Sequence, residues 1–181
     1  MAESKSDRFD MVVENENRRV GRMSKEELSQ CVLDIKGFFE RVGVKVTGAS
    51  SGSFQSLGKA FDFDIPEAFS YFLESVNGNI WFMEKEAMTV DTIIDTLSEL
   101  ESSELWRAGL LPFCGDSSGM LVIDAKSGSG MVVEWDEDDG LGDTMSSNFL
   151  DFIEKFRDDL SKCEYVDGCG LIEKVGAPSR K

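Results

Sequence analysis

The chain has no histidine in 181 residues. That removes the usual general base for an activated serine or cysteine and the commonest metal-binding side chain. The four cysteines (Cys31, Cys114, Cys163 and Cys169) include no Cys-x-x-Cys pair. Without histidine to complete a set, they argue against a structural zinc. No apolar run near the start resembles a signal peptide, and none is long enough to cross a bilayer. No Asn-x-Ser/Thr acceptor occurs. These absences together predict a cytoplasmic protein in a reducing compartment, with free thiols. No cofactor is expected.

Basic residues are also scarce, 19 Lys and Arg against 35 Asp and Glu, a formal charge of −16. Two blocks carry the excess. Residues 62–104 hold eleven acids and one base, Lys85, and residues 134–154 hold eight acids and no base. Such a surface repels phosphate backbones, which excludes nucleic acid as a natural partner. It attracts and steers a basic protein. The competing reading is that the acidic faces only keep the protein soluble.

The length fits one domain of about 100–200 residues with modest tails and buries a real core without cross-links. Residues 1–23 balance five acids against five bases and read as an N-terminal arm, with a short strand among Phe9 and Met11–Val13. Ser24 and Glu27 form a capping box ahead of Leu28, Val32, Ile35, Phe39 and Val42, one face of a helix that stops near Gly43. Cys31 flanks that stripe and reads as a small buried apolar residue. Val44 and Val46 alternate with Lys45 and suggest a strand.

Pro66 suits the first position of a second helix, with Phe69, Phe72, Leu73 and Val76 inward and Asn77-Gly78 at its end. A strand over Ile80–Met83 follows, then a helix from Met88 to about Ser102 with Thr89 as N-cap. Three apolar runs, Leu110–Phe113, Met120–Ile123 and Met131–Trp135, are separated by short glycine-rich gaps. Gaps of that length cannot hold a parallel crossover, so they predict an antiparallel meander. A last helix over Ser146–Lys162 places Phe149, Ile153, Phe156 and Leu160 inward, capped by Ser146 or Ser147. A small hairpin around Asp167-Gly168 closes the chain.

Three stretches imitate chemical motifs and fail. Gly48–Ala60 resembles a phosphate loop, but Ala60 replaces the required hydroxyl and Ser53 stands where the first glycine belongs. Gly115-Asp116-Ser117-Ser118-Gly119 fits a serine elbow, yet no histidine can take the proton of Ser117. It reads instead as a turn between strands. Trp135–Gly140 resembles a calcium loop, but aligning Gly140 with the required glycine puts Trp135 and Ser146 at ligand positions.

The order of elements completes a resemblance. Ile65-Pro66-Glu67 opens a helix containing Phe69, Tyr71, Phe72 and Leu73 and closing on Asn77-Gly78. A strand and a helix follow, then Leu111-Pro112-Phe113, the Gly115–Gly119 loop and Leu121–Asp124. Val132-Val133, an acidic turn and the helix over Ser147–Ile153 come last. Residues 24–162 resemble the SUKH superfamily, the group of Smi/Knr-like cell-wall regulators and bacterial immunity proteins. The resemblance implies an α+β fold, a curved and mainly antiparallel sheet flanked by about four helices, with residues 163–181 as a C-terminal extension. It implies a non-enzymatic, intracellular protein-binding module, either a regulatory or scaffold subunit or an immunity protein that neutralises a basic toxin such as a nuclease.

Neither catalytic nor metal-ligating residues are carried over. The expected partner is another intracellular protein, basic in charge, with no nucleic acid and no membrane. The candidate contact residues are the acidic turn Asp136, Glu137, Asp138 and Asp139 with Trp135 as aromatic anchor, then Asp116 and Ser117 on the neighbouring loop.

Overall fold

A computed structural model describes residues 25–174. Ser24 of the capping box, the N-terminal arm with its strand, and residues 175–181 lie outside the described residues. The described chain runs α1 (Lys25–Arg41), α2 (Ser51–Ala60), α3 (Glu67–Ser75), β1 (Trp81–Phe82), β2 (Lys85–Ala87), α4 (Val90–Leu100), β3 (Leu110–Asp116) and β4 (Gly119–Asp124). A 3₁₀ turn at Ala125–Ser127 leads into β5 (Met131–Asp136), β6 (Gly140–Ser146), α5 (Phe149–Leu160), β7 (Cys163–Val166) and β8 (Gly170–Glu173).

The fold is α+β. Strands β1 to β6 pair in sequence order, each antiparallel to the next; the tight turns require this for every pair but β2–β3, whose connection carries α4. Alternation along the strands splits their side chains between two faces. Leu111, Phe113, Leu121, Ile123 and Val132 join the main core with α1, α3 and α5. Leu110, Val122, Val133 and Trp135 face the other way and pack with Leu100 and Trp106.

Phe149, Ile153, Phe156 and Leu160 are all buried, the stripe that the spacing predicts. Phe149 lies at the centre of a ring cluster, 4.9 Å from Phe69, 5.4 Å from Phe113 and 5.6 Å from Phe72 between centroids. Each large apolar side chain buried in this way contributes about 1.5–3 kcal/mol.

The structure corrects several details. Residues 44–50 form no strand. Val46 is buried, but the local backbone makes isolated bonds, Ala49 N–H to Leu73 O at 2.8 Å and Asn77 N–H to Thr47 O at 2.8 Å, instead of a ladder. The rejected phosphate loop is helix α2, one helix more than expected, with Ser50 Oγ accepting from the Ser53 N–H at 3.1 Å. Pro66 caps α3 from outside, and the left-handed residues after it are Gly78 and Asn79. Asn148, not a serine, caps α5. Strands β2 and β6 were unforeseen. Val42, expected at the end of the buried α1 stripe, is exposed, while Cys31 is fully buried. The hairpin β7–β8 is present where expected, and its Cys163 and Leu171 join the main core.

Candidate functional site

In an antiparallel meander alternate turns share one end of the sheet. The turns at Met83-Glu84, Ser117-Ser118 and Glu137–Asp139 therefore lie together, as the pairs Phe82↔Lys85, Asp116↔Gly119 and Asp136↔Gly140 require. This end gathers the two loops singled out in the sequence. Gly119 seals their contact, because a Cβ there would meet Trp135 O at 2.8 Å and Asp136 Cβ at 3.3 Å.

Each turn is built by its own leading aspartate. Asp116 Oδ1 accepts from the Ser118 N–H at 2.8 Å and from Ser118 Oγ at 2.6 Å. Asp136 Oδ1 accepts from the N–H groups of Asp138 at 2.9 Å and Asp139 at 2.7 Å. Asp116 and Asp136 thus hold the backbone, and Glu137, Asp138 and Asp139 stand exposed. None of those three takes part in an ion pair among the described residues. Ser117 is exposed beside them.

Trp135 is placed differently from expectation. Its side chain is only 1 % exposed and packs edge-on to Trp106, with ring centroids 5.3 Å apart. Alternation along β5 turns it into the second core, so it presents no aromatic surface to a partner. Its indole N–H has no acceptor among the described residues.

A lysine does reach the serine-rich loop, but not Ser117. Lys85 Nζ donates to Asp116 Oδ1 at 3.1 Å, Ser118 Oγ at 3.2 Å and Gly119 O at 3.4 Å. An ammonium committed to three acceptors has no lone pair with which to take a proton from a serine. Burial pushes the Asp116 carboxyl up, but the Ser118 hydrogen bonds and Lys85 outweigh it and leave the pKa below the usual value. Among the described residues no group of three or more acids and cysteines is arranged to hold a metal ion.

Behind the turns, a slot of about 300 Å³ opens between the sheet and the C-terminal half of α5. Its lining includes Met83, Leu121, Glu134, Met145, Phe152 and Lys155. Sequence reasoning missed it because its walls come from segments far apart in the chain. Only the methionines at strand ends gave a local signal. At the opposite end of the sheet lies a wider, polar depression of about 1070 Å³, bordered by Glu27, Asp64, Glu67, Asp151 and Glu154.

The family model described as SMI1 / KNR4 family (SUKH-1) matches residues 48–155. That span contains the whole six-stranded sheet and the slot's main walls, and leaves α1 and the C-terminal hairpin outside. No curated protein matches the chain. Among the described residues no helix is long and apolar enough to cross a membrane.

Proposed function

Because the chain belongs to the SMI1 / KNR4 family (SUKH-1), we propose that it is a non-enzymatic protein-binding module, a regulatory or scaffold subunit that recognises another intracellular protein through the acidic turn end of its sheet. The observation that carries this reading is the convergence of Asp116, Ser117 and Asp136–Asp139 at one end, where Glu137, Asp138 and Asp139 are exposed and outside any ion pair among the described residues. Charges on a rim act mainly through encounter rate and specificity. A basic partner is therefore captured quickly and released by salt.

The test is zero-length carboxyl–amine cross-linking of the tagged full chain in its native cells, read by mass spectrometry. Links from Glu137, Asp138 or Asp139 to partner lysines are expected, lost when those three acids are changed to lysine. Capture indifferent to salt and to that charge reversal refutes the reading.

The charge of −16 favours one second reading, an immunity protein that neutralises a basic toxin such as a nuclease. A toxin gene beside this one, and protection of cells that express the toxin, are the outcomes that select it.

A further inference from the structure

We propose that the slot between α5 and the sheet receives a segment of the partner protein that inserts an aliphatic or aromatic side chain between Met83, Met145 and Phe152 and lays basic residues along the β5–β6 hairpin. The proposal rests on the protein-binding reading above and names the chemistry of the partner.

Three observations support it. Met83 and Met145 are 39 % and 43 % exposed, two of the six large hydrophobics left exposed among the described residues, and both line this slot. Methionine adapts its shape to an incoming apolar group more readily than a branched side chain does. A volume of about 300 Å³ lies at the bottom of the range of about 300–1,000 Å³ for ligand pockets, and suits a side chain or two rather than a cofactor.

The second observation is strain. Met83 has φ of 59°, a left-handed conformation uncommon for a residue with a side chain. Its carbonyl accepts from the Leu171 N–H at 3.0 Å, and Gly170 packs so close that a Cβ there would lie 2.5 Å from Met83 O. The C-terminal hairpin therefore holds the turn in place with Met83 at the rim. A strained residue maintained in this way is a common mark of a working surface.

The third is charge asymmetry. The β5–β6 hairpin, residues 134–146, carries Glu134, Asp136, Glu137, Asp138, Asp139 and Asp143 and no base, and its Glu134 and Met145 line the slot. The facing wall on α5 carries Lys155 beside Asp159, and Asp159 is paired with Lys162 at 2.5 Å. The hairpin side is thus acidic while the α5 wall is balanced, with Glu84 adding a further acid at the rim, so a segment with basic residues to one side of its apolar anchor enters in one orientation.

The probe is a short synthetic peptide with a central Leu-Phe pair preceded by lysines, titrated into the full chain carrying methyl-¹³C methionine. Two control peptides carry glutamates for the lysines, or alanines for the Leu-Phe pair. The Met83 and Met145 methyl signals are expected to shift with the first peptide while Met131, on the other face, stays still. Both controls, and the variants Met83→Gly and Glu134→Lys, should bind about tenfold more weakly, the loss of roughly one apolar or charged contact. Met83→Gly suits the left-handed backbone, so folding is retained and the comparison is clean.

Unmoved groove methyls, or a control peptide that binds as well as the first, overturn the proposal. Methyl shifts that appear on removing residues 175–181 without peptide identify the chain's own basic tail as the occupant, and shifts that depend on protein concentration identify a second copy; either result also overturns it. The same variants separate the two readings. Cross-linked partner that survives Met83→Gly sinks the slot and leaves the acidic turns standing. Peptide binding in the slot with no partner captured in cells sinks the functional reading instead.

Discussion

Lys85 Nζ lies 3.1 Å from Asp116 Oδ1 and ties strand β2 to the turn between β3 and β4. The two side chains are 20 % and 25 % exposed, so water screens the pair only in part. The Asp116 pKa is lowered from 3.8, burial working against the Ser118 and Lys85 hydrogen bonds and losing. A carboxyl with a depressed folded pKa stabilises the fold above its unfolded value, and that contribution disappears as pH falls through the folded one. Asp116→Asn is therefore expected to lower the urea midpoint at neutral pH, a stability loss of about 1 kcal/mol or less for a pair that water partly screens. The difference should begin to narrow at about pH 4 and close once the pH has fallen through the folded pKa. A gap that stays constant down to strong acid contradicts the assignment.

Phe149→Ala should be among the most damaging single changes. Its ring touches those of Phe69, Phe72, Phe113 and Phe152, at centroid distances from 4.9 to 6.2 Å. Truncating such a residue costs about 3–5 kcal/mol, a large share of a typical total of about 5–15 kcal/mol. Leu33, 54 % exposed on α1, supplies the comparison. Leu33→Ala should move stability by no more than about 0.5 kcal/mol in denaturant titration.

The sequence pattern was most legible where a periodic stripe met a single buried face. The stripes of α3 and α5 and the cap at Thr89 were all readable, and Thr89 Oγ1 accepts from the Thr92 N–H at 3.1 Å. So was the antiparallel order of β3 to β5, which the short gaps dictate. Helix α2 was not legible, because Ser51–Ala60 buries only Leu57 fully and its glycines and serines read as loop. Strand β6 was hidden for a related reason. It is an edge strand with mostly exposed side chains and bulges against β5, so it carries no alternating apolar pattern. The two loops of the candidate surface were readable as turns, and their meeting at one end follows from topology. Trp135 departs from expectation because the pleat sends its indole inward while its neighbour Asp136 turns outward.

The thiols should separate cleanly in a reagent titration. Cys31, Cys114 and Cys163 are buried and Cys169 is exposed in the β7–β8 turn. Burial pushes the Cys31 thiol up to about 11 and raises Cys114 further, so neither forms a reactive thiolate near neutral pH. Cys169 alone is expected to react with a disulfide reagent in the native protein, and all four after unfolding. Loss of the fast phase in Cys169→Ser checks the assignment, and a fast phase that survives in that variant contradicts it.

Glu154 offers a test with the opposite pH signature. Its pKa is raised from 4.5, first by burial and then by the negative charges of Asp151, Asp158 and Glu27, with Arg157 pulling the other way. A carboxyl with a raised folded pKa weakens the fold when ionised. The penalty is absent below its unfolded value and complete above its folded one. Glu154→Gln keeps the shape of the side chain and removes the charge. It is expected to raise Tm at neutral pH and to give no gain under acid conditions, where the native carboxyl is already protonated. The repulsive part acts through Asp151, Asp158 and Glu27, so added salt should shrink the gain without abolishing it, since burial remains. A Tm gain of equal size at every pH would mean that packing, not charge, governs this position.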